Sequence, residues 1–267
     1  MKASFLGAII AVALADAAAV AGAAPFDAAA ETYRHQLTED MGQALTGALT
    51  LRERLIAKDL IGARRAWIDA RVGWERSEVF TSGFVPALDQ AIDAWPNASH
   101  GFHGIEATLF GASGAAADAD PEIDMLIANL SDVQGQVAKI DLAPQRLLNG
   151  IAWLAFEVGG NKADGGESRL SGTSLFDMQN NADSIASAWQ VIFAEALAAD
   201  DPKLAARVSA VIARLQAARL QAGVGITDLR QLDAEELRAD SEELVALLAM
   251  AAPKLGLSKP TLEEGAR

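Results

Sequence analysis

The sequence predicts an all-α protein, and three observations carry that prediction. Alanine and leucine dominate an apolar fraction of 51%, while aromatic residues make up only 6%, a composition rich in strong helix formers. Apolar residues recur at three- and four-residue spacing along most of the chain, and no segment sustains the alternation of a half-buried strand. Glycine, proline and aspartate punctuate this pattern into about seven or eight helices. With 267 residues the chain can bury a substantial core. Two antiparallel bundles meeting near residues 115–145 fit the helix count better than one long bundle.

The first 23 residues have the features of an export signal. Lys2 supplies the positive region, Phe5 to Leu14 a short apolar run, and Ala21-Gly22-Ala23 small residues that suit cleavage after Ala23. Asp16 interrupts the run, and Ala13-Leu14-Ala15 offers a second, less comfortable cleavage position. The segment is too short and alanine-rich for a membrane span, and no later run reaches 18 uninterrupted apolar residues. The mature protein is therefore expected in the periplasm. A first bundle is expected over residues 26–140, a second over 141–255, and a flexible tail over 256–267.

Within this frame the helices follow in order. Ala28 to Lys58 places Leu37, Met41, Leu45, Leu49 and Leu55 at near-helical spacing. Leu60 to Glu78 carries Trp67, Ile68 and Trp74. Phe80 to His100, with Gly83, Pro86, Pro96 and Asn97, predicts a loop-rich stretch. A helix begins near Gly101 and fades at Gly111 to Gly114, and Ala115 to Asp120 forms a small acidic linker. Pro121 suits the first turn of the next helix, which runs to about Ile140. Asp141 to Pro144 makes a cap and restart, and the helix over 145–158 is expected to break at Gly159-Gly160. After a polar loop from Asn161 to Gly172, helices recur over about 174–198, 202–222 and 234–251, with Asp200, Pro202 and Asp233 as start signals.

Charge and composition narrow the function. A net charge of −14 speaks against a protein that tracks nucleic-acid phosphates. The absence of cysteine excludes disulfides, thiolate metal sites, iron–sulfur clusters and cysteine nucleophiles. No nucleophile-elbow motif marks a serine hydrolase.

Chemistry concentrates between Trp74 and Glu106. In Trp74-Glu75-Arg76-Ser77-Glu78 the two glutamates stand three apart, on one face of the expected helix, among apolar neighbours. Two carboxylates about 4 Å apart near a surface repel by roughly 4 kcal/mol. A positive group is expected between them: Arg71, Arg76 or a metal ion. Otherwise the pair belongs to a solvated or arginine-paired helix face. His103 and Glu106 repeat the i, i+3 spacing, by which helix bundles place imidazole and carboxylate side by side in interior metal sites. The same pair can equally cap a helix or satisfy itself in the core. Asp89 and Asp93 add two carboxylates between these elements. Nitrogen and oxygen donors without sulfur suit iron, manganese, zinc or copper(II).

These segments carry a resemblance. Gly101-Phe102-His103-Gly104-Ile105-Glu106 resembles the GxHxxE signature of the imelysin/EfeO-like family, and Trp74 to Glu78 with Leu88 to Asp93 is similar to the acidic segments that precede it. Glu157, Asn161 to Ser171, and Ser174 to Asn181 resemble the polar stretch of that family's second half. The resemblance spans about residues 30 to 250. It implies a bilobal pair of four-helix bundles and a periplasmic role in metal acquisition, and the chain departs from the pattern in being expected as a helical-domain-only member without an N-terminal cupredoxin-like domain. It places His103 and Glu106 first as metal ligands, with Glu75, Glu78 and Asp93 as carboxylate partners and Asp89 a weaker candidate. The implied ion is iron, with zinc or copper as alternatives. The implied partners are an inner-membrane iron permease and a periplasmic peroxidase. Val79 stands where a proline is common in the family, and Leu170 and Gly172 replace bulkier, more polar residues, which puts a shared substrate surface in doubt.

Glu157, Glu167, Arg169 and Asp177 are expected either to line a cleft or to serve a purely structural turn. Three functions compete: a non-enzymatic metal carrier, a zinc metallopeptidase, and a binder of anionic polysaccharide bridged by metal. A zinc hydrolase needs an open water position and a general base, and HxxE lacks the second histidine of HExxH. Few aromatic residues are available to stack sugars. The carrier reading fits the residues best.

Overall fold

The computed structural model describes residues 26–93, 100–111, 120–163, 168–222 and 234–262. Among these residues every regular element is helical, as the composition and periodicity predict. The expected export signal, the start of the acidic linker, Asp233, Glu167 and the last five residues lie outside the described residues.

Helix α1 (Asp27–Ile56) buries Tyr33, Leu37, Met41, Ala44, Ala48 and Leu51 along one stripe, the spacing of a helix with one wet face. A three-residue connection returns the chain as α2 (Leu60–Glu75), which starts where Asp59 Oδ1 accepts from the Gly62 N–H at 2.9 Å. The two helices lie against each other at very short range. A Cβ on Gly73 would stand 2.1 Å from the Asp40 carbonyl oxygen, and one on Gly47 would stand 2.6 Å from the Ala70 Cα. Trp67, Ala70 and Trp74 are fully buried along α2.

The stretch expected to be loop-rich folds instead as two short helices, α3 (Glu78–Phe84) and α4 (Pro86–Asp93). Pro86 opens α4, where its missing N–H costs nothing, and Gly83 lies within α3. Residues read as breakers therefore act here as boundaries and helix interior. After residues 94–99, which are not described, come α5 (Gly101–Phe110) and α6 (Asp120–Val137), and α6 packs on both α1 and α5.

Pro144 starts α7 (Pro144–Glu157). The expected break at Gly159-Gly160 does not occur. The chain runs on through a π-helical turn, Val158–Lys162. Gly159 fits closely there: a Cβ would meet Ser241 Cβ at 2.5 Å. The helix expected over 174–198 is α8 (Ser174–Ala188), a second π turn (Trp189–Phe193) and α9 (Ala194–Asp200). Asp201 rather than Asp200 caps α10 (Pro202–Ala222), accepting from the Leu204 N–H at 3.0 Å. α11 (Ala234–Ala251) packs on α7 and α10 and ends in a short 3₁₀ turn, Ala252–Leu255. Beyond it, the Ser258 N–H donates to Gln145 Oε1 at 2.8 Å, and Leu257 and Leu262 pack on the core. A continuous apolar core runs from Phe26 to Leu255. Among the described residues no helix is long and apolar enough to cross a membrane.

Helices α2, α3, α4, α5 and α8 meet at the middle of the molecule and bring the chemistry-bearing residues together. The start of α5 depends on Gly101, whose φ of +64° lies in the left-handed region. A Cβ there would stand 2.2 Å from the Ile92 carbonyl oxygen. Substituting Gly101→Ala is expected to destabilise the protein by about 2–3 kcal/mol, measured by denaturant unfolding, because the end of α4 and the start of α5 must separate.

Candidate metal centre

The site grows from one cation. Arg71 projects from α2 and is fully buried, against the rings of Trp67 and Phe102 at 5.5 and 5.4 Å from their centroids. An arginine cannot shed its proton in such a place, so carboxylates must surround it. Arg71 pairs with Glu75 one turn on, with Asp93 Oδ1 on α4 at 2.7 Å, and with Asp177 Oδ2 on α8 at 3.2 Å. Arg76, the other candidate counter-charge, turns away towards Asp183 at 3.9 Å.

Glu75 and Glu78 do not share a continuous helix. α2 ends at Glu75, a two-residue turn intervenes, and α3 begins at Glu78. Their carboxylates nevertheless converge. The Asn181 amide on α8 donates to Glu75 Oε2 at 2.7 Å and to Glu78 Oε2 at 2.8 Å. Lys162, at the end of the first π turn, places Nζ 3.0 Å from Glu78 Oε2, 3.4 Å from Glu75 Oε2 and 2.8 Å from Asn181 Oδ1. The positive charge required between the glutamates is thus Lys162, with Arg71 behind it. Glu75, Glu78 and Asp93 each offer an oxygen within 4.8 Å of the others.

Asp93 links this acidic group to the HxxE pair. Its Oδ2 accepts from Trp74 Nε1 at 2.7 Å, and its Oδ1 lies 3.2 Å from His103 Nε2. His103 Nδ1 lies 3.4 Å from Glu106 Oε2. The other Glu106 oxygen accepts from the Ser171 N–H at 2.8 Å and hydroxyl at 2.7 Å. His103 and Glu106 therefore stand beside the three-carboxylate group rather than inside it, joined through Asp93. Asp89 lies one turn before Asp93 on α4 and is outside that group.

The electrostatics follow from the neighbours. Burial opposes a charge on Asp93, but Arg71 and His103 hold its carboxyl well below the usual range. Burial likewise opposes a charge on His103, yet Asp93 and Glu106 raise it to about 9, so the imidazole is protonated at neutral pH. Glu106 is lowered, against burial, by His103 and Ser171. Asp177 moves the other way, to about 7, through burial and the nearby Glu75 charge. It accepts from the Ser168 hydroxyl and from Thr173 Oγ1 at 3.4 Å, while its Oδ1 is buried without a hydrogen-bond partner among the described residues. Of the other second-half candidates, Glu157 is half-buried and Arg169 exposed.

Lys162, Asn181, Ser168 and Ser171 are site residues that sequence spacing could not pick out individually. Their signal lay only in the polar stretch from Asn161 to Asn181. The oxygen and nitrogen donors suit a hard or borderline cation, and the donor set contains no sulfur.

Comparison with known proteins bears on the family and the fold. The Imelysin family model (Peptidase_M75) matches residues 11–100 and 97–254. An iron uptake system component EfeO from Yersinia pseudotuberculosis is 31% identical over 160 residues, 57% of this chain and 42% of that protein. An iron uptake system component EfeM from Pseudomonas syringae is 28% identical over 177 residues, 62% of this chain and 61% of that protein. The match thus spans less than two thirds of either relative's length. A crystal structure assigned as an iron-regulated protein A precursor from Parabacteroides distasonis superposes with a TM-score of 0.69 at 17% identity, covering 82% of this chain and 91% of that one. At that identity the likeness shows the fold.

The raised His103 value has a signed consequence for the metal-free protein. The folded state holds this proton more tightly than the unfolded chain, so the stabilisation is complete below about pH 6.5 and lost as pH rises through about 9. Chemical denaturation from pH 6 to 10 should show a decline of about 3 kcal/mol over this window. The decline should flatten in His103→Gln.

Proposed function

The chain belongs to the imelysin family, and on that premise we propose that it is a metal-binding component of an iron uptake system. One observation carries the reading: three carboxylates, those of the buried Glu75 and Glu78 and the half-buried Asp93, offer oxygens within 4.8 Å of one another, beside an imidazole–carboxylate pair that reaches them through Asp93. Without metal, Arg71 and Lys162 compensate this group. The names of the EfeO and EfeM relatives support iron as the ion, and the donor set accepts zinc or copper as well.

In this reading Glu75, Glu78 and Asp93 hold the ion, and His103 and Glu106, which stand beside them, turn in to complete its shell. His103 must give up its proton to become a ligand, so capture releases a proton. Ser171 and Trp74 fix the orientation of Glu106 and Asp93, as outer hydrogen-bond partners do in metal sites. The protein carries rather than hydrolyses. The site has a single imidazole, and His100 stands at the N-cap of α5 in an extended conformation (φ −146°, ψ 178°), off the helix that bears His103. The carrier works in the periplasm, after removal of the export signal near Ala23, and passes its ion to an inner-membrane iron permease, with a periplasmic peroxidase as a further partner.

Calorimetric titration of the metal-stripped protein with ferrous iron under anaerobic conditions, and with zinc, tests the proposal. One site is expected. His103→Ala/Glu106→Ala should weaken it by about 100-fold or more with the helical circular dichroism unchanged, and Glu75→Gln/Glu78→Gln should do the same. Absence of binding by the wild type, or equal binding by both variants, would remove the assignment.

A further inference from the structure

Arg71 and Lys162 are both buried against the acidic group, and they are held in different ways. Arg71 is locked. It rises from the later part of α2, pairs with carboxylates on α2, α4 and α8, and lies against two aromatic rings. Its guanidinium ties three helices together, so moving it would open the core. Lys162 reaches the same group from the last residue of a π turn that contains Gly159 and Gly160. Its ammonium is a compact charge on a four-carbon stem, a geometry that can swing aside without moving a helix. π turns inside helices are frequent at functional positions.

The contacts of Lys162 coincide with those a bound ion would need. Nζ lies 3.0 Å from Glu78 Oε2 and 3.4 Å from Glu75 Oε2, and a cation held by carboxylate oxygens sits about 2.0–2.2 Å from them. Ammonium and ion cannot share that space. Asn181 supplies the complementary feature. Its neutral amide donates to the same two oxygens at 2.7 and 2.8 Å, so the carboxylates keep their convergence after the ammonium has left.

From this, and resting on the metal reading above, we infer that Lys162 is a tethered competitor for the ion's own position: the metal enters Glu75 and Glu78 by displacing the Lys162 ammonium, and return of the ammonium drives release. The device sets a threshold. A monovalent ion gains nothing over the ammonium already in place, whereas a multivalent ion offers the same oxygens more charge. It also keeps the metal-free site from standing as an uncompensated acidic cavity, while Arg71 maintains the fold in both states.

The test uses the whole protein with ferrous iron under anaerobic conditions and with zinc. Lys162→Met keeps the stem and removes the charge. It is expected to bind either ion about 10-fold tighter or more, because the occupied state no longer competes, and to release it more slowly into a chelator. Wild-type protein gives the second readout. Amine acylation followed by peptide mass spectrometry should find Lys162 protected without metal and labelled several-fold faster when metal is bound. This readout stands even if Lys162→Met fails to fold. Wild-type binding with Lys162 equally protected in both states would overturn the inference and leave the metal reading standing. Failure of the wild type to bind either ion would remove both.

Discussion

The fully buried guanidinium of Arg71 is the constraint on which the centre of this molecule depends. An arginine in an apolar core is tolerable only when anions surround it, and removing one partner of such a network leaves a charge that the interior cannot accommodate. Arg71 draws Glu75, Asp93 and Asp177 to it, and these residues come from three helices. Their positions fix the rest. Asp93 stands at the end of α4, so α4 must dock against α2. Asp177 lies in the first turn of α8, so the second half of the chain must close over the first. The buried rings of Trp67 and Phe102 beside the guanidinium then exclude water and strengthen each pairing.

The helical fold was legible because it rests on local information. The stripes of α1 and α2, the proline at the start of α7 and the glycine at the start of α5 each encode their structure within a few residues. The misread segments are those in which tertiary packing overrode local signals. Gly83 and Pro86 look like loop residues, yet packing retains α3 and α4 as helices. Gly159 and Gly160 look like a terminus, yet close contact of Gly159 with Ser241 on α11 carries the helix past them as a π turn.

The site was legible in part for the same reason. Glu75, Glu78, His103 and Glu106 announce themselves by paired spacing, and the electrostatic need for a cation beside the glutamates follows from Coulomb's law alone. Which cation answers that need does not. Lys162 lies 84 residues beyond Glu78 and Asn181 lies 103 beyond it, and no local pattern connects them. Conversely, the expectation that Glu75 and Glu78 meet on one helix face reached a correct convergence by an incorrect route. The chain turns between them, and hydrogen bonds from α8 complete the alignment.

The π turn that ends in Lys162 also bears on how such a centre could arise. A π turn accommodates one residue more than the α-helical turn it replaces, and each residue of an α-helix advances the side-chain direction by about 100°. A single-codon insertion near Gly159 is therefore enough to rotate the following side chain from one flank of the helix to another without disturbing Leu147, Ile151, Leu154 and Ala155, which are packed upstream in α7. The charge at the centre of the molecule can thus be gained or lost through one indel rather than through redesign of the bundle.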